Sequence, residues 1–192
     1  MIVSKQELSR HFPFGLTTQW SPIKQQDLHS VRMADWLLDS TSLTARLKRH
    51  CQDFSVRVLG ESYLALSADE QSQLATADSE GFVREVILFC DDKPWVFART
   101  VVPLATLSQG QELQQLGERP LGALLFATPG MVRDAVEVTH LAADHPLSKS
   151  ALLWGADKQR DLWGRRSRFL LPAGALLVSE MFLPDCAAYV EE

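Results

Sequence analysis

The first apolar pattern in the chain predicts a pair of helices. Apolar residues recur at intervals of three and four over 31–38, which is the spacing of one helix face. The polar segment 39–42 interrupts this face, and its serine and threonine side chains offer N-caps for a second helix through Leu43, Leu47 and Cys51. We therefore expect a helical hairpin near the start of the chain.

Most of the remaining apolar segments have the composition and alternation of strands. Six of them are predicted, over 54–59, 82–89, 95–102, 131–139, 165–171 and 175–183. The links at 91–94 and 172–174 have hairpin length, which favours antiparallel pairing. Short helical stretches are expected over 108–116 and 120–126. The fold class that follows is α+β: a single antiparallel β-sheet of about six strands with helices on one face.

Composition limits the classes of protein that fit this pattern. The chain has 192 residues, 46% hydrophobic and 22% charged, which is typical of a single globular domain spanning 1–192. Residues 1–29 contain prolines and a glycine and are expected to be irregular. The formal net charge of -5 argues against nucleic acid as a partner, but it leaves room for a small anionic ligand because a site is charged locally.

The chain has no pattern typical of export, of a membrane or of metal binding. No apolar run has the length of a signal peptide or a membrane span. The three cysteines are far apart in the sequence and read as reduced thiols, and the five histidines lack the spacing of metal ligands. No motif for a nucleotide or a covalent nucleophile is found. We expect a cytoplasmic protein that needs no metal and no cofactor.

Charged residues inside apolar strands are the candidates for chemistry. Glu180 shares a strand face with apolar neighbours, where a carboxylate is costly unless it is neutral or paired. The alternative is that the opposite face forms the core and Glu180 faces solvent. Arg84 and Glu85 are adjacent, so one of them must point inward, and the pattern does not decide which. A cross-strand ion pair on an exposed face is the simpler interpretation of these two.

A dense group of arginines precedes the last strand. Arg165, Arg166 and Arg168 lie within four residues and could bind carboxylates, since a guanidinium group holds them in a bidentate way. The alternative is a solvated strand edge, where charge discourages aggregation. We favour the second interpretation for at least one of the three.

Several motifs in a fixed order resemble those of one known family. They are Asp-Trp-Leu-Leu at 35–38, Ser-Leu-Thr-Ala-Arg at 42–46, Arg-Glu-Val at 84–86, Pro-Trp at 94–95, Ala-Arg-Thr-Val-Val-Pro at 98–103, Leu-Gly at 116–117, Pro-Leu-Gly at 120–122, Leu-Phe at 125–126, Leu-Trp-Gly-Arg-Arg-Ser at 162–167 and Glu-Met-Phe-Leu-Pro at 180–184. The chain resembles the chorismate pyruvate-lyases of ubiquinone biosynthesis over about residues 33–185.

The resemblance implies a buried pocket beneath helical flaps, no cofactor, and conversion of chorismate into 4-hydroxybenzoate and pyruvate by an enzyme that retains its aromatic product. We expect the protein to be a monomer. The resemblance also implies that Arg84 and Glu180 are catalytic: Arg84 would bind the ring carboxylate and Glu180 would meet the oxygen end of the ring. Leu43 and Leu121 would line the pocket, partly through backbone groups. Glu180 either transfers a proton or only positions the substrate.

The chain departs from the family pattern in two places. Residues 141–159 extend a stretch that is shorter in the family, and they read as a polar surface insertion. Leu43 replaces a methionine of the family, a nearly isosteric change. The rival interpretation is a binding module, because effector-sensing domains of bacterial regulators share this kind of sheet. The segment before the first motif is too short for the DNA-binding domain that such regulators carry. A third interpretation is an inactive relative that only stores an aromatic acid.

Overall fold

The computed structural model describes residues 9–10, 12–23 and 30–190. The helices are α1 (Val31–Leu38), α2 (Leu43–Leu47), α3 (Ala68–Leu74), α4 (Leu104–Leu107), α5 (Leu121–Ala127) and α6 (Pro146–Leu153). The strands are β1 (Ser21–Pro22), β2 (Phe54–Ala65), β3 (Glu80–Cys90), β4 (Lys93–Pro103), β5 (Val132–Arg133), β6 (Glu137–Leu141), β7 (Leu162–Leu171) and β8 (Gly174–Phe182). Short 3₁₀ turns cover Gln111–Gln114 and Ala187–Tyr189.

All strands form one antiparallel sheet in the order β1-β6-β7-β8-β4-β3-β2, with β5 paired to β7. The hairpin between β3 and β4 turns through Asp91 and Asp92, both of which have positive φ, as a two-residue turn that matches the strand twist requires. The predicted fold class is confirmed. The described residues form eight strands rather than about six, because β1 and β5 have two residues each and the predicted strand at 131–139 divides into β5 and β6.

The sheet is covered on both faces. The hairpin α1–α2 and helix α5 pack on what we call the pocket face, as expected. Helices α3 and α6 and part of the chain before residue 21 pack on the opposite face, which we call the second face. The expectation of helices on one face was therefore incomplete. As a result, β3 is buried at every position from Gly81 to Cys90.

Part of the segment 141–159 belongs to the core of the second face, although its outer side is exposed. Leu147 and Ala151 are 0% exposed and Trp154 is 1% exposed, and the Trp154 ring stacks on Phe97 with the ring centroids 6.0 Å apart. The expectation of a surface segment was therefore wrong for these inner residues and holds only for the outer side of the segment. The three residues are spaced by four and three, so helix α6 presents them on one face and buries them against the sheet.

Buried charges on the second face are fully paired. The Glu85 carboxylate is completely buried and accepts hydrogen bonds from the backbone N–H groups of Phe14 (2.7 Å) and Gly15 (2.8 Å) and from Arg99 Nη1 (2.8 Å). These bonds compensate for the loss of hydration. They also tie the segment before β1 to the centre of the sheet.

Two of the three clustered arginines also point to the second face. Arg166 is buried and forms ion pairs with Glu137 (Nε to Oε2, 2.7 Å) and with Asp69. Arg168 is half-buried and pairs with Asp134 (2.6 Å). The interpretation of a solvated strand edge was wrong for both, because β7 lies inside the sheet and helix α3 packs near them.

Candidate active site

A partly enclosed cavity lies between the pocket face and the helices α2 and α5. Its volume is about 50 Å³. All four residues expected at the site line it: Leu43, Arg84, Leu121 and Glu180. The roof closes where α2 meets α5, since a Cβ added to Gly122 would lie 3.0 Å from Thr44 Oγ1. Glycine therefore allows the two helices to approach closely here.

The strand register places Arg84 and Glu180 on the same face of the sheet. Arg84 pairs with Thr100 of β4, and Glu180 pairs with Ala98 of β4. The two residues are thus separated by two strands across the sheet and two residues along it, which puts their Cα atoms about 12 Å apart. Small and apolar side chains such as Val86 and Ala98 form the floor between them. A basic group and an acidic group therefore stand at opposite ends of an apolar floor.

Arg84 is held in place by contacts within the protein. Its side chain is 3% exposed and forms an ion pair with Glu61, its direct neighbour on β2. Nη2 also donates to the carbonyl oxygen of Arg119 at 3.3 Å, in the loop that leads into α5. The planar guanidinium group is therefore oriented by the sheet on one side and by the roof on the other.

Glu180 is held by Arg165. Nε of Arg165 donates to Oε2 of Glu180 at 2.7 Å, and Arg165 itself is only 1% exposed. Nη1 of Arg165 donates to the carbonyl oxygens of Trp36 (2.9 Å) and Asp39 (2.8 Å). These carbonyls end helix α1, where backbone acceptors lack partners within the helix. Arg165 therefore connects the acidic end of the pocket to the turn between α1 and α2.

Several hydrogen bonds hold the turn at Asp39. Its carboxylate accepts hydrogen bonds from the backbone and the hydroxyl of Thr41 (2.8 and 2.6 Å) and from Arg46 Nη1 (2.8 Å). Burial alone would raise the pKa of Asp39, but these hydrogen bonds and the charge of Arg46 outweigh it and lower the pKa to about 2. Arg133 Nη1 donates to the same Asp39 carbonyl that Arg165 holds, at 3.0 Å.

The sequence prediction did not single out Arg133. It lies on the two-residue strand β5 and lines the cavity beside Arg165. The sequence analysis included Arg165, but only as one of three arginines that could either bind a carboxylate or lie on a solvated strand edge. The register signal for Arg165 existed, since it is the cross-strand partner of Glu180. No comparable signal marks Arg133, because a strand of two residues has no alternation.

None of the cysteines lines the cavity. Cys51 and Cys90 are far apart in sequence, yet their Sγ atoms lie 2.6 Å from each other. Burial raises the pKa of both thiols and raises the pKa of Cys186 to about 12, so all three favour the unreactive thiol form. Within the described part of the chain, no group of three His, Cys, Asp or Glu side chains could hold a metal ion.

The fold defines a class of α+β domains in which helices flank a single antiparallel sheet. The ligand-binding domain of a GntR-family transcriptional regulator from Bordetella bronchiseptica has this fold, at 18% identity, covering 73% of this chain and 90% of that one with a TM-score of 0.53. The effector domain of PhnF from Mycobacterium smegmatis is also similar, at 17% identity over 77% of this chain and 91% of that one with a TM-score of 0.56. At these identities the likeness shows the fold alone.

Comparison with related sequences identifies the family. The family described as chorismate lyase matches residues 16–191. A probable chorismate pyruvate-lyase of Shewanella amazonensis is 43% identical and covers 95% of this chain and 96% of its own length. Another from Idiomarina loihiensis is 41% identical, with 93% and 91% covered. The chain belongs to the chorismate lyase family, which confirms the resemblance seen in its motifs. Among the residues described, no helix has the length and apolar character needed to cross a membrane.

Proposed function

We propose that the protein is a chorismate pyruvate-lyase that forms 4-hydroxybenzoate and pyruvate for ubiquinone biosynthesis, without a metal or cofactor. The observation that carries the proposal is the partly enclosed cavity with Arg84 and Glu180 at its opposite ends and Leu43 and Leu121 in its roof. Membership of the family supports it. We further propose that the protein is a cytoplasmic monomer. The net charge of -5 supports the proposal that it has no nucleic-acid partner.

The two ends of the cavity suit the two ends of the substrate ring. Arg84 binds the ring carboxylate through charge-assisted hydrogen bonds, and its existing contacts orient the guanidinium group for this purpose. Glu180 accepts a hydrogen bond from the ring hydroxyl. Its Oε2 atom already accepts from Arg165, whereas Oε1 makes no hydrogen bond to any residue that the structure describes, so Oε1 is the acceptor. The roof residues Leu43 and Leu121 exclude water from the ring.

The reaction itself needs little beyond positioning. The bond between the ring and the ether oxygen breaks, the adjacent ring carbon, which bears the hydroxyl group, loses its proton, and the enolpyruvyl methylene gains a proton to give pyruvate. Atoms balance without water or an oxidant, and the ring becomes aromatic. Because Glu180 already accepts a charge-assisted bond from Arg165, we favour a positioning role for it, in which it accepts a hydrogen bond from the hydroxyl group, over transfer of an acidic proton.

A cavity of about 50 Å³ has room for a few water molecules rather than for a substituted ring. Helices α2 and α5 must therefore separate to admit substrate and to release product. The aromatic product keeps the carboxylate that Arg84 holds, so we propose that the pocket retains it and that release limits turnover.

The proposal is tested by incubating purified protein with chorismate and a chelator while both products are quantified. Equal amounts of 4-hydroxybenzoate and pyruvate are expected. Binding of 4-hydroxybenzoate without any product formation would favour the alternative, an effector-binding module, which the fold likeness to regulator domains suggests. Activity that requires an added metal would contradict the metal-free mechanism.

Substitution of Arg84 tests its role in the site. Arg84→Ala should weaken binding of both chorismate and 4-hydroxybenzoate by about 2–4 kcal/mol, as expected for a buried contact to a charged group. Arg84→Lys should restore little, because a lysine lacks the planar fork. A matched control is Arg57→Ala, since Arg57 pairs with the exposed Asp92 away from the cavity and should leave both affinities unchanged. Normal affinities in both Arg84 variants would move the anion site elsewhere.

A further inference from the structure

Arg133 is a pocket guanidinium group without a carboxylate partner. Nε donates to Ser167 Oγ at 3.0 Å, and Nη1 donates to the Asp39 carbonyl at 3.0 Å. No acidic side chain in the described ranges forms an ion pair with Arg133, whereas Arg84 and Arg165 each have one. Nη2 makes no hydrogen bond to any described residue. A half-buried cation with an unused donor group lines the cavity.

Arg133 and Arg84 lie on opposite sides of the cavity. Arg84 projects from β3, and Arg133 projects from β5 and donates to Ser167 on the neighbouring strand β7. Strands β4 and β8 lie between β3 and β7. Glu180 extends from β8, next to the Arg133 side. The cavity therefore carries a cation at each end, and the acidic group is close to the second cation.

Chorismate has a matching distribution of charge. One carboxylate is attached to the ring, and the second belongs to the enolpyruvyl group, whose ether oxygen is on the carbon next to the one that bears the hydroxyl. If Arg84 holds the ring carboxylate and Glu180 the hydroxyl, the enolpyruvyl group extends from the ring near Glu180. We propose that Arg133 binds the enolpyruvyl carboxylate and so selects a dianionic ligand; this inference rests on the proposed function.

The electrostatic surroundings of Arg133 agree with this assignment. Burial lowers the pKa of Arg133, and the charge of Arg165 lowers it further, while Glu180 and Asp39 act in the opposite direction. The guanidinium group is thus short of compensating negative charge, which an incoming carboxylate supplies. After the ether bond breaks, the carboxylate held by Arg133 belongs to pyruvate alone, so the pyruvate can leave independently of the aromatic product.

The competing explanation is that Arg133 only fixes the turn at Asp39. Two probes distinguish the explanations by calorimetry: 4-hydroxybenzoate, with one carboxylate, and 4-hydroxy-3-(1-carboxyvinyloxy)benzoate, an already aromatic dianion that carries the enolpyruvyl group. Arg133→Gln should raise the dissociation constant of the dianion by about 10- to 100-fold and leave that of 4-hydroxybenzoate unchanged. Arg133→Lys retains the charge and should keep part of the preference for the dianion.

Two reference variants complete the test. Arg84→Gln should weaken the binding of both probes, and Arg57→Gln should leave the binding of both unchanged. Equal weakening of both probes in Arg133→Gln, or no weakening of either, would overturn the assignment. Binding of the probes requires no turnover. The wild-type protein could bind the dianion more tightly in an Arg133-dependent way and still form no product from chorismate. That result would refute the proposed function and leave the carboxylate site standing.

Discussion

The connection between the pocket and the turn at Asp39 can be tested through Arg165. Replacing Arg165 by glutamine removes the donor to Glu180 and the donors to the carbonyls of Trp36 and Asp39. Removing one partner of a buried ion pair costs about 3–5 kcal/mol of folding free energy. Glu180 is 17% exposed, so water can compensate in part, and we expect a loss near the lower end, about 3 kcal/mol.

Such a loss is measurable without preventing folding. A domain is stable by about 5–15 kcal/mol, and with a denaturant slope of about 2 kcal/mol per molar urea the midpoint should fall by about 1.5 M. Tryptophan fluorescence is a suitable signal because Trp36 is buried on α1, next to the carbonyls that Arg165 holds. Equilibrium urea unfolding of wild type and variant gives the difference directly.

Two further variants make the experiment specific. Arg57→Gln breaks a more exposed ion pair with Asp92 and should cost less than about 1 kcal/mol. In a double-mutant cycle, Arg165→Gln and Glu180→Gln should show a coupling energy of about 1–3 kcal/mol. A loss below about 1 kcal/mol for Arg165→Gln, or independent effects in the cycle, would refute the connection.

Three other outcomes are expected. Glu180→Gln should retain most of the turnover measured with chorismate, because an amide oxygen still accepts the hydroxyl; a loss of about 100-fold or more would assign proton transfer to Glu180. Asp39 has its pKa lowered to about 2, so it contributes about 2 kcal/mol of stability above pH 4 that is lost as the pH falls through 2. Thermal unfolding should show Asp39→Asn destabilised at pH 7, with the difference from wild type reduced to less than about 0.5 kcal/mol at pH 2, where half of the native Asp39 carboxyl is protonated. Rapid-quench assays should show a burst of about one 4-hydroxybenzoate per protein. The inhibition constant of added 4-hydroxybenzoate should lie below the KM of chorismate. Linear progress curves without inhibition would exclude slow product release.

The hairpins of the sheet were predictable from the sequence because local alternation and turn residues determine them. The choice between Arg84 and Glu85 could not be made from alternation, although the family resemblance favoured Arg84, and β3 shows why alternation fails. Both faces of β3 are buried, so apolar residues occupy both faces and alternation carries no information about which face holds the ligand. Only the covering elements decide, and they are distant in sequence. Residues near 14 cover Glu85, and α2 and α5 cover the cavity beside Arg84.

Two errors have different physical origins. The segment 141–159 was misjudged because its charged and polar residues concealed the regular spacing of Leu147, Ala151 and Trp154, a signal that was available. Arg133 could not have been found in this way. Its place in the cavity depends on a contact with the Asp39 carbonyl, 94 residues away along the chain, and no local pattern encodes a contact of that separation.

Because the sheet is covered on both faces, the residues that shape the ligand cavity differ from those that pack the second layer of the fold. Ligand specificity and stability, which usually compete during evolution, are therefore carried by different positions. Val86 faces the cavity, whereas its neighbour Ile87 packs into the layer that contains α6. Mutations at Val86, Ala98 and Val178 can therefore reshape the ligand cavity and leave that second layer untouched. Tolerance to substitution should alternate with a period of two along the central strands. A small library confined to the cavity-facing positions would be enough to search for variants that accept other aromatic acids.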